Sequence, residues 1–149
     1  MTGSPMTLAL HEAAAAAELG EVPVGAVLVD GPSGALLARA HNRIEALHDP
    51  TAHAELLVIS AAARRLGLKR LTEADLYVTL EPCAMCAAAI AFARLRRVYF
   101  GAYDPKGGAV EHGGRFFAQP TCRHRPEVIG GLAETQCAAL LKDFFRDRR

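Results

Sequence analysis

From Met6 to Leu19 the chain is rich in Ala and Glu, with one internal His and neither Gly nor Pro. That composition predicts a helix, which Gly20 would end. Val22–Val29 is a continuous apolar run heavy in β-branched residues, and it predicts a strand buried on both faces. Asp30–Gly34 is dense in turn formers and Ala35–Ala40 predicts a second strand, so the pair reads as a hairpin. A polar loop over Asn42–Thr51 follows, then a helix from about Ala52 to Leu66 stopped by Gly67. Asp75–Leu80 predicts a strand, Cys83–Leu95 a helix and Arg97–Ala102 another strand. Residues 103–126 show no periodicity and are rich in Gly, Pro, Arg and His. Glu127–Ile129 predicts a short fifth strand, and Ala133–Arg146 an amphipathic closing helix.

This order predicts an α/β fold built on one mixed sheet with helices on both faces. The strand–helix–strand stretch 75–102 should be a right-handed crossover between parallel strands. Its helix, Ala84–Ala93, has no polar face, and a helix apolar all round has to be buried all round. One side can lie on the sheet, and a second subunit is the expected cover for the other.

With 149 residues the chain has room for one domain, taken as 1–149, and an apolar fraction of 51% is enough to close a core. Its charges nearly cancel at +1, which excludes a histone-like polycation. They are unevenly spread, however. Residues 1–75 carry 6 basic and 9 acidic side chains, whereas residues 76–149 carry 11 and 7. Seven of the basic residues fall between Arg94 and Arg125 (Arg94, Arg96, Arg97, Lys106, Arg115, Arg123, Arg125), and the tail adds Lys142, Arg146, Arg148 and Arg149. The longest uncharged apolar run, Cys83–Ala93, is far short of the roughly 20 residues of a membrane span. The first residues lack a basic targeting segment, so a cytoplasmic protein without membrane contact is expected. Four Cys in such a setting point to metal or redox chemistry rather than to a disulfide scaffold.

Pro82-Cys83-Ala84-Met85-Cys86 directly follows a predicted strand and opens a predicted helix. Cys at i and i+3 share one face of a helical turn, close enough to bind one metal, and the helix N-terminus favours their thiolates. By itself the pair reads equally well as a redox couple or as two small apolar residues in an Ala-rich helix. His53-Ala54-Glu55 lies at another helix start. Regular helix geometry turns residues i and i+2 about 200° apart, so the two converge only at an irregular helix start.

His-x-Glu at one helix start with Pro-Cys-x-x-Cys at the next resembles the signature of zinc deaminases. Glu21–Val27, His48–Glu55, Leu76–Cys86 and Phe144–Arg146 then extend the likeness to bacterial tRNA-specific adenosine deaminases, in family order from about residue 8 onward. The resemblance implies a three-layer α/β/α cytidine deaminase-like fold with a central five-stranded mixed sheet. It also implies a homodimer with one Zn2+ per subunit, acting on a tRNA anticodon stem-loop to turn the wobble adenosine of an arginine tRNA into inosine. On that basis His53, Cys83 and Cys86 would hold zinc, and a zinc-activated water would attack C6 while Glu55 shuttles protons. Asn42 would hydrogen-bond the target base, and Val24 and the Ala54 backbone would help line its pocket. Asp104 and Lys106 would meet the anticodon backbone. The hairpin turn Gly31–Gly34 and the segment 108–126 depart from the family pattern, the latter where substrate access is governed. The ligand triad is shared with guanine and deoxycytidylate deaminases, so a small-molecule deaminase of guanine, cytosine or a free nucleoside is the alternative. A zinc-stabilised binding module is a third reading, against which the intact Glu55 argues.

Overall fold

The first apolar run does not pair along its whole length. In the computed structural model, which describes residues 3–148, β1 is Gly25–Asp30 rather than beginning at Val22. Pro23 has no N–H to give a ladder, and the Gly25 N–H goes to the Thr79 hydroxyl at 3.1 Å. Val22 and Val24 are therefore left beyond the sheet, free to face a cavity.

β1 pairs antiparallel with β2 (Leu36–His41) on one side and with β3 (Ala74–Leu80) on the other. β3 pairs parallel with β4 (Arg97–Ala102), and β4 with β5 (Glu127–Ile129). The mixed five-stranded sheet thus has the order β2-β1-β3-β4-β5. The alternation of side chains sorts its faces. Ala26 and Leu28 of β1, Leu76 and Val78 of β3, and Val98 and Phe100 of β4 join Val58, Ala62, Ala87 and Ile90 in one core. Val27 and Ala102 turn the other way, to Met6, Ala9 and Cys137.

Helices cover both faces. α1 (Pro5–Glu18) and α5 (Glu134–Arg146) lie on one, α3 (Ala54–Leu66) and α4 (Ala84–Ala93) on the other. α1 sits so close to β1 that a Cβ on Gly25 would run into the Ala9 carbonyl and the Ala13 nitrogen. The polar stretch after β2 contains a one-turn helix, α2 (Ile44–Leu47), which the pattern did not predict. Its starting N–H groups, on Glu45 and Ala46, donate to the buried carboxylate of Glu21 at 3.1 and 2.8 Å. A short 3₁₀ turn, Phe116–Ala118, is the remaining helical element of the 103–126 segment.

α4 is not buried all round by its own chain. Cys86, Ala87, Ile90, Ala91 and Ala93 face inward, while Met85, Ala88, Ala89 and Phe92 form an outward apolar stripe on which Phe92 is 78% exposed.

Candidate active site

Two helix starts meet at the C-terminal end of β3. His53 caps α3 in an extended conformation (φ −77°, ψ 147°), and Cys83 caps α4 in the same way (φ −75°, ψ 176°). The His53 ring reaches the sulfurs of both Cys83 and Cys86, so the side chains meet in the space between the two helices. This is how residues 53 and 55 come to share a site, since His53 stands outside the first helical turn, to which Glu55 belongs. His53 Nδ1 lies 3.7 Å from Cys83 Sγ and 3.5 Å from Cys86 Sγ, and the three donor atoms all fall within 4.8 Å of one another.

Those distances can be tested against a metal. Zinc bonds of about 2.3 Å to sulfur and about 2.0 Å to nitrogen, at the tetrahedral angle, separate S from N by about 3.5 Å. The cluster fits. Among the described residues no fourth His, Cys, Asp or Glu joins the group, and three protein ligands mark a catalytic rather than a structural zinc site. Without metal, the hydrogen bond from Cys86, together with His53, holds the Cys83 thiol down at about 4. The same bond, with burial, pushes Cys86 up, and the Cys83 contact raises His53.

His53, Glu55 and Cys83 open onto a cavity of about 320 Å³ whose other walls are Val22, Val24, Asn42, Ile44, Leu80, Glu81, Asp104 and Gly107. A groove of about 330 Å³ under the start of α1, beside the stacked rings of Tyr77 and Tyr99, contains none of the cluster residues. Glu55 is 4% exposed, and burial lifts its carboxyl to about 7 against the pull of a backbone N–H and of His53. Asn42 is also buried, and its Oδ1 accepts the Ala54 N–H at 2.9 Å. Ala54 itself is fully buried, its N–H donated to Asn42 beside the cavity.

The profile of the family described as the cytidine and deoxycytidylate deaminase zinc-binding region matches residues 3–102. A curated tRNA-specific adenosine deaminase from Agrobacterium fabrum is 61% identical over 97% of this chain and 93% of its own. The chain belongs to the tRNA-specific adenosine deaminase family. A relative of that description from Bacillus subtilis is 47% identical over 97% of this chain and 88% of its own. A structure solved in a study of tRNA:A34 deaminases superposes with a TM-score of 0.89 at 61% identity, covering 92% of this chain and 98% of that one. A guanine deaminase from Bacillus subtilis follows at a TM-score of 0.63 and 29% identity, covering 97% of this chain and 91% of that one. The fold expected from the resemblance, a cytidine deaminase-like mixed sheet between helices, is the fold observed.

Val24, Asn42 and Asp104, all expected at the site, line the cavity, while Lys106 is exposed beside it. The basic excess of the second half is less available than its count suggests. Arg96 grips Asp75 with two bonds of 2.9 and 2.8 Å, Arg97 pairs with Glu127, and Arg146 pairs with Asp143 and Asp147. Arg148 lies over the Phe144 ring, and Arg149 falls outside the described residues. His124 bonds the Leu95 carbonyl, which keeps Arg123 and Arg125 by the N-terminal end of β4, whereas the cavity opens at the C-terminal end of β3. The sequence reading missed Glu81, Val22, Leu80, Ile44 and Gly107 as cavity residues. Glu81 carried one signal, an acid where the apolar strand Ala74–Leu80 ends, directly before Pro82 and the ligand Cys83.

Proposed function

We propose that this protein removes the exocyclic amino group of adenosine by hydrolysis at the wobble position of an arginine tRNA anticodon, giving inosine and ammonia. One observation carries the chemistry: a His-Cys-Cys donor cluster of zinc dimensions shares a nucleobase-sized cavity with a buried carboxylate and a buried amide. The RNA substrate is taken over from the relatives, whose names state it.

His53, Cys83 and Cys86 would hold zinc, which when bound would supply a Lewis acid that brings the pKa of water down toward ~7. Glu55 takes the proton of the attacking water and delivers it to adenine N1 as oxygen adds to C6. The same carboxyl then takes the proton of the new C6 hydroxyl and hands it to the amine, so that the C6–N bond breaks as the C6 carbonyl forms and ammonia leaves. Asn42 turns its Nδ2 donors toward the base, because its Oδ1 is bound to Ala54. Val22, Val24, Ile44 and Leu80 give the ring an apolar slot. An anticodon loop presents its bases already unstacked, so insertion costs little. Asp104 and Lys106 border the slot where the flanking backbone passes, and Lys106 and Arg115 have no acidic partner among the described residues.

The functional unit in this reading is a homodimer with one zinc per subunit. The stripe Met85, Ala88, Ala89 and Phe92 of α4 is its contact, since an apolar helix face left in water is a cost that pairing removes. A tRNA substrate implies work in the cytoplasm, and among the described residues no helix is long and apolar enough to cross a membrane.

Product analysis by mass spectrometry tests the whole reading. Zinc-loaded protein receives an arginine tRNA anticodon stem-loop and, separately, adenosine, guanine, cytosine and cytidine. Inosine at the wobble position with the free compounds untouched is the expected result. Turnover of a free base with inert RNA would transfer the chemistry to a small-molecule deaminase.

A further inference from the structure

The segment that closes one side of the cavity is wrapped around a single buried anion. Glu81, 2% exposed, accepts five hydrogen bonds. Its Oε1 takes the Asp104 N–H at 3.0 Å and faces His112 Nδ1 at 2.8 Å. Its Oε2 takes three successive backbone N–H groups, from Val110, Glu111 and His112, at 3.1, 2.8 and 3.1 Å. Successive N–H groups converging in this way form an anion-binding nest, here filled from within the protein. The main chain of Glu81 completes the tie by donating to the Ala102 carbonyl, and Ala109 donates to the Pro82 carbonyl. Gly108 lies so near the carboxylate that a Cβ there would strike it.

Residues 103–112 contain no helix or strand, so no ladder of their own holds them. Two of them, Asp104 and Gly107, nevertheless form cavity wall. Asp104 stiffens the turn locally, its Oδ1 accepting the N–H groups of Lys106 and Gly107. What fixes this turn relative to the zinc ligands is Glu81, two residues before Cys83. Five donors fill its acceptor sites, leaving the carboxylate nothing to offer a substrate. It therefore acts through the loop. His112 extends the clasp, its ring edge-on to Tyr103, which is edge-on to core Phe100.

We infer that Glu81 is a positioning residue for substrate binding: its carboxylate, with His112, holds the 104–112 wall in register with the zinc ligands so that the flanking RNA meets Asp104 and Lys106 correctly. This rests on the deaminase reading above and adds to it a determinant of affinity outside the reacting groups. An ordering role of this kind acts on the bound substrate before the chemistry, so it separates KM from kcat.

The experiment uses zinc-loaded wild type, Glu81→Gln and His112→Ala on the anticodon stem-loop, with zinc content, KM, kcat and amide exchange read for each. In Glu81→Gln an amide donor would face the N–H groups. We expect KM to rise by about tenfold or more, the scale of losing charge-assisted bonds, with kcat within about threefold and zinc unchanged. Exchange at residues 110–112 should quicken while that of α3 stays as in wild type. His112→Ala, which keeps the carboxylate and its four backbone donors, should move KM the same way by less. If Glu81→Gln fails to fold, His112→Ala alone decides by the same split. Loss of kcat at constant KM, or wild-type KM and wild-type exchange in both variants, would overturn the inference. An inert wild type would instead sink the deaminase reading on this RNA, and exchange at 110–112 would then decide whether Glu81 holds the loop.

Discussion

The side-chain oxygen of Asn42 accepts the N–H of Ala54 at 2.9 Å, and that one bond decides which end of the amide faces the cavity. A backbone N–H can only donate, so Oδ1 must turn to it and the Nδ2 donors are left for the cavity, where the proposed base would lie. Asn42→Asp keeps the bond to Ala54 but replaces those donors with a second carboxylate oxygen. Steady-state kinetics should give a kcat/KM lower by about a hundredfold, the usual scale for removing one oriented donor. Zinc content should be unchanged.

Glu55 is buried beside the ligand cluster yet belongs to no metal-sized group with it. Glu55→Gln should therefore retain full zinc by elemental analysis while turnover falls by ~10²–10⁴-fold or more, the loss expected when a general acid–base is removed. Substantial activity in a zinc-replete variant would exclude the proton-shuttle role.

Metal removal should loosen the fold as well as stop the reaction. The ligands come from two helix starts thirty residues apart, and an ion bound only by the folded form stabilises it by mass action. Differential scanning calorimetry should find Tm lower by about 5–10 °C in chelator than in excess zinc. Cys86→Ser should shrink that difference.

Phe92, 78% exposed on an apolar stripe, is the position on which the proposed dimer would depend most. Phe92→Glu should weaken self-association by about a hundredfold, as losing a central aromatic anchor does. Sedimentation velocity would detect this as a shift toward the monomer at micromolar concentration. A wild-type protein that is monomeric at that concentration would remove the α4 stripe from consideration as an interface.

Gly25 is required by the approach of α1 to β1. Gly25→Ala puts a methyl group against helix backbone, which cannot move aside as a side-chain tip can. Urea denaturation should register a loss of about 3 kcal/mol or more, at or above the upper end of ordinary overpacking.

Local pattern was enough for most of the elements. Strands β3, β4 and β5 and helices α1 and α5 stand within a residue or so of where periodicity and breakers put them, because those signals are properties of neighbouring residues. That Cys83 and Cys86 share one face was legible for the same reason, being set by one helical turn, but their joint use with His53 was not. The convergence of His53 and Glu55 was not legible either, since it depends on His53 lying outside the helix whose first turn holds Glu55. Val22–Val29 was read as one strand because all of it is apolar. Only the arrival of Thr79 at Gly25, with the missing N–H of Pro23, separates a sheet portion from a cavity wall.

What the tertiary structure alone decided are pairings across long chain separations. Arg96 reads as a free cation until Asp75, on the neighbouring strand, takes both arms of its guanidinium. Glu21 and Glu81 read as surface acids until main-chain N–H groups more than twenty residues away close around them. Every residue except proline carries such a group whatever its side chain, so amino-acid identity gives almost no sign of which N–H groups will need an anion. Composition and spacing determined the elements and the chemistry this chain could hold. Folding decided which charges remain free for a substrate and which loops stand still to receive it, because only folding brings backbone donors and buried carboxylates together.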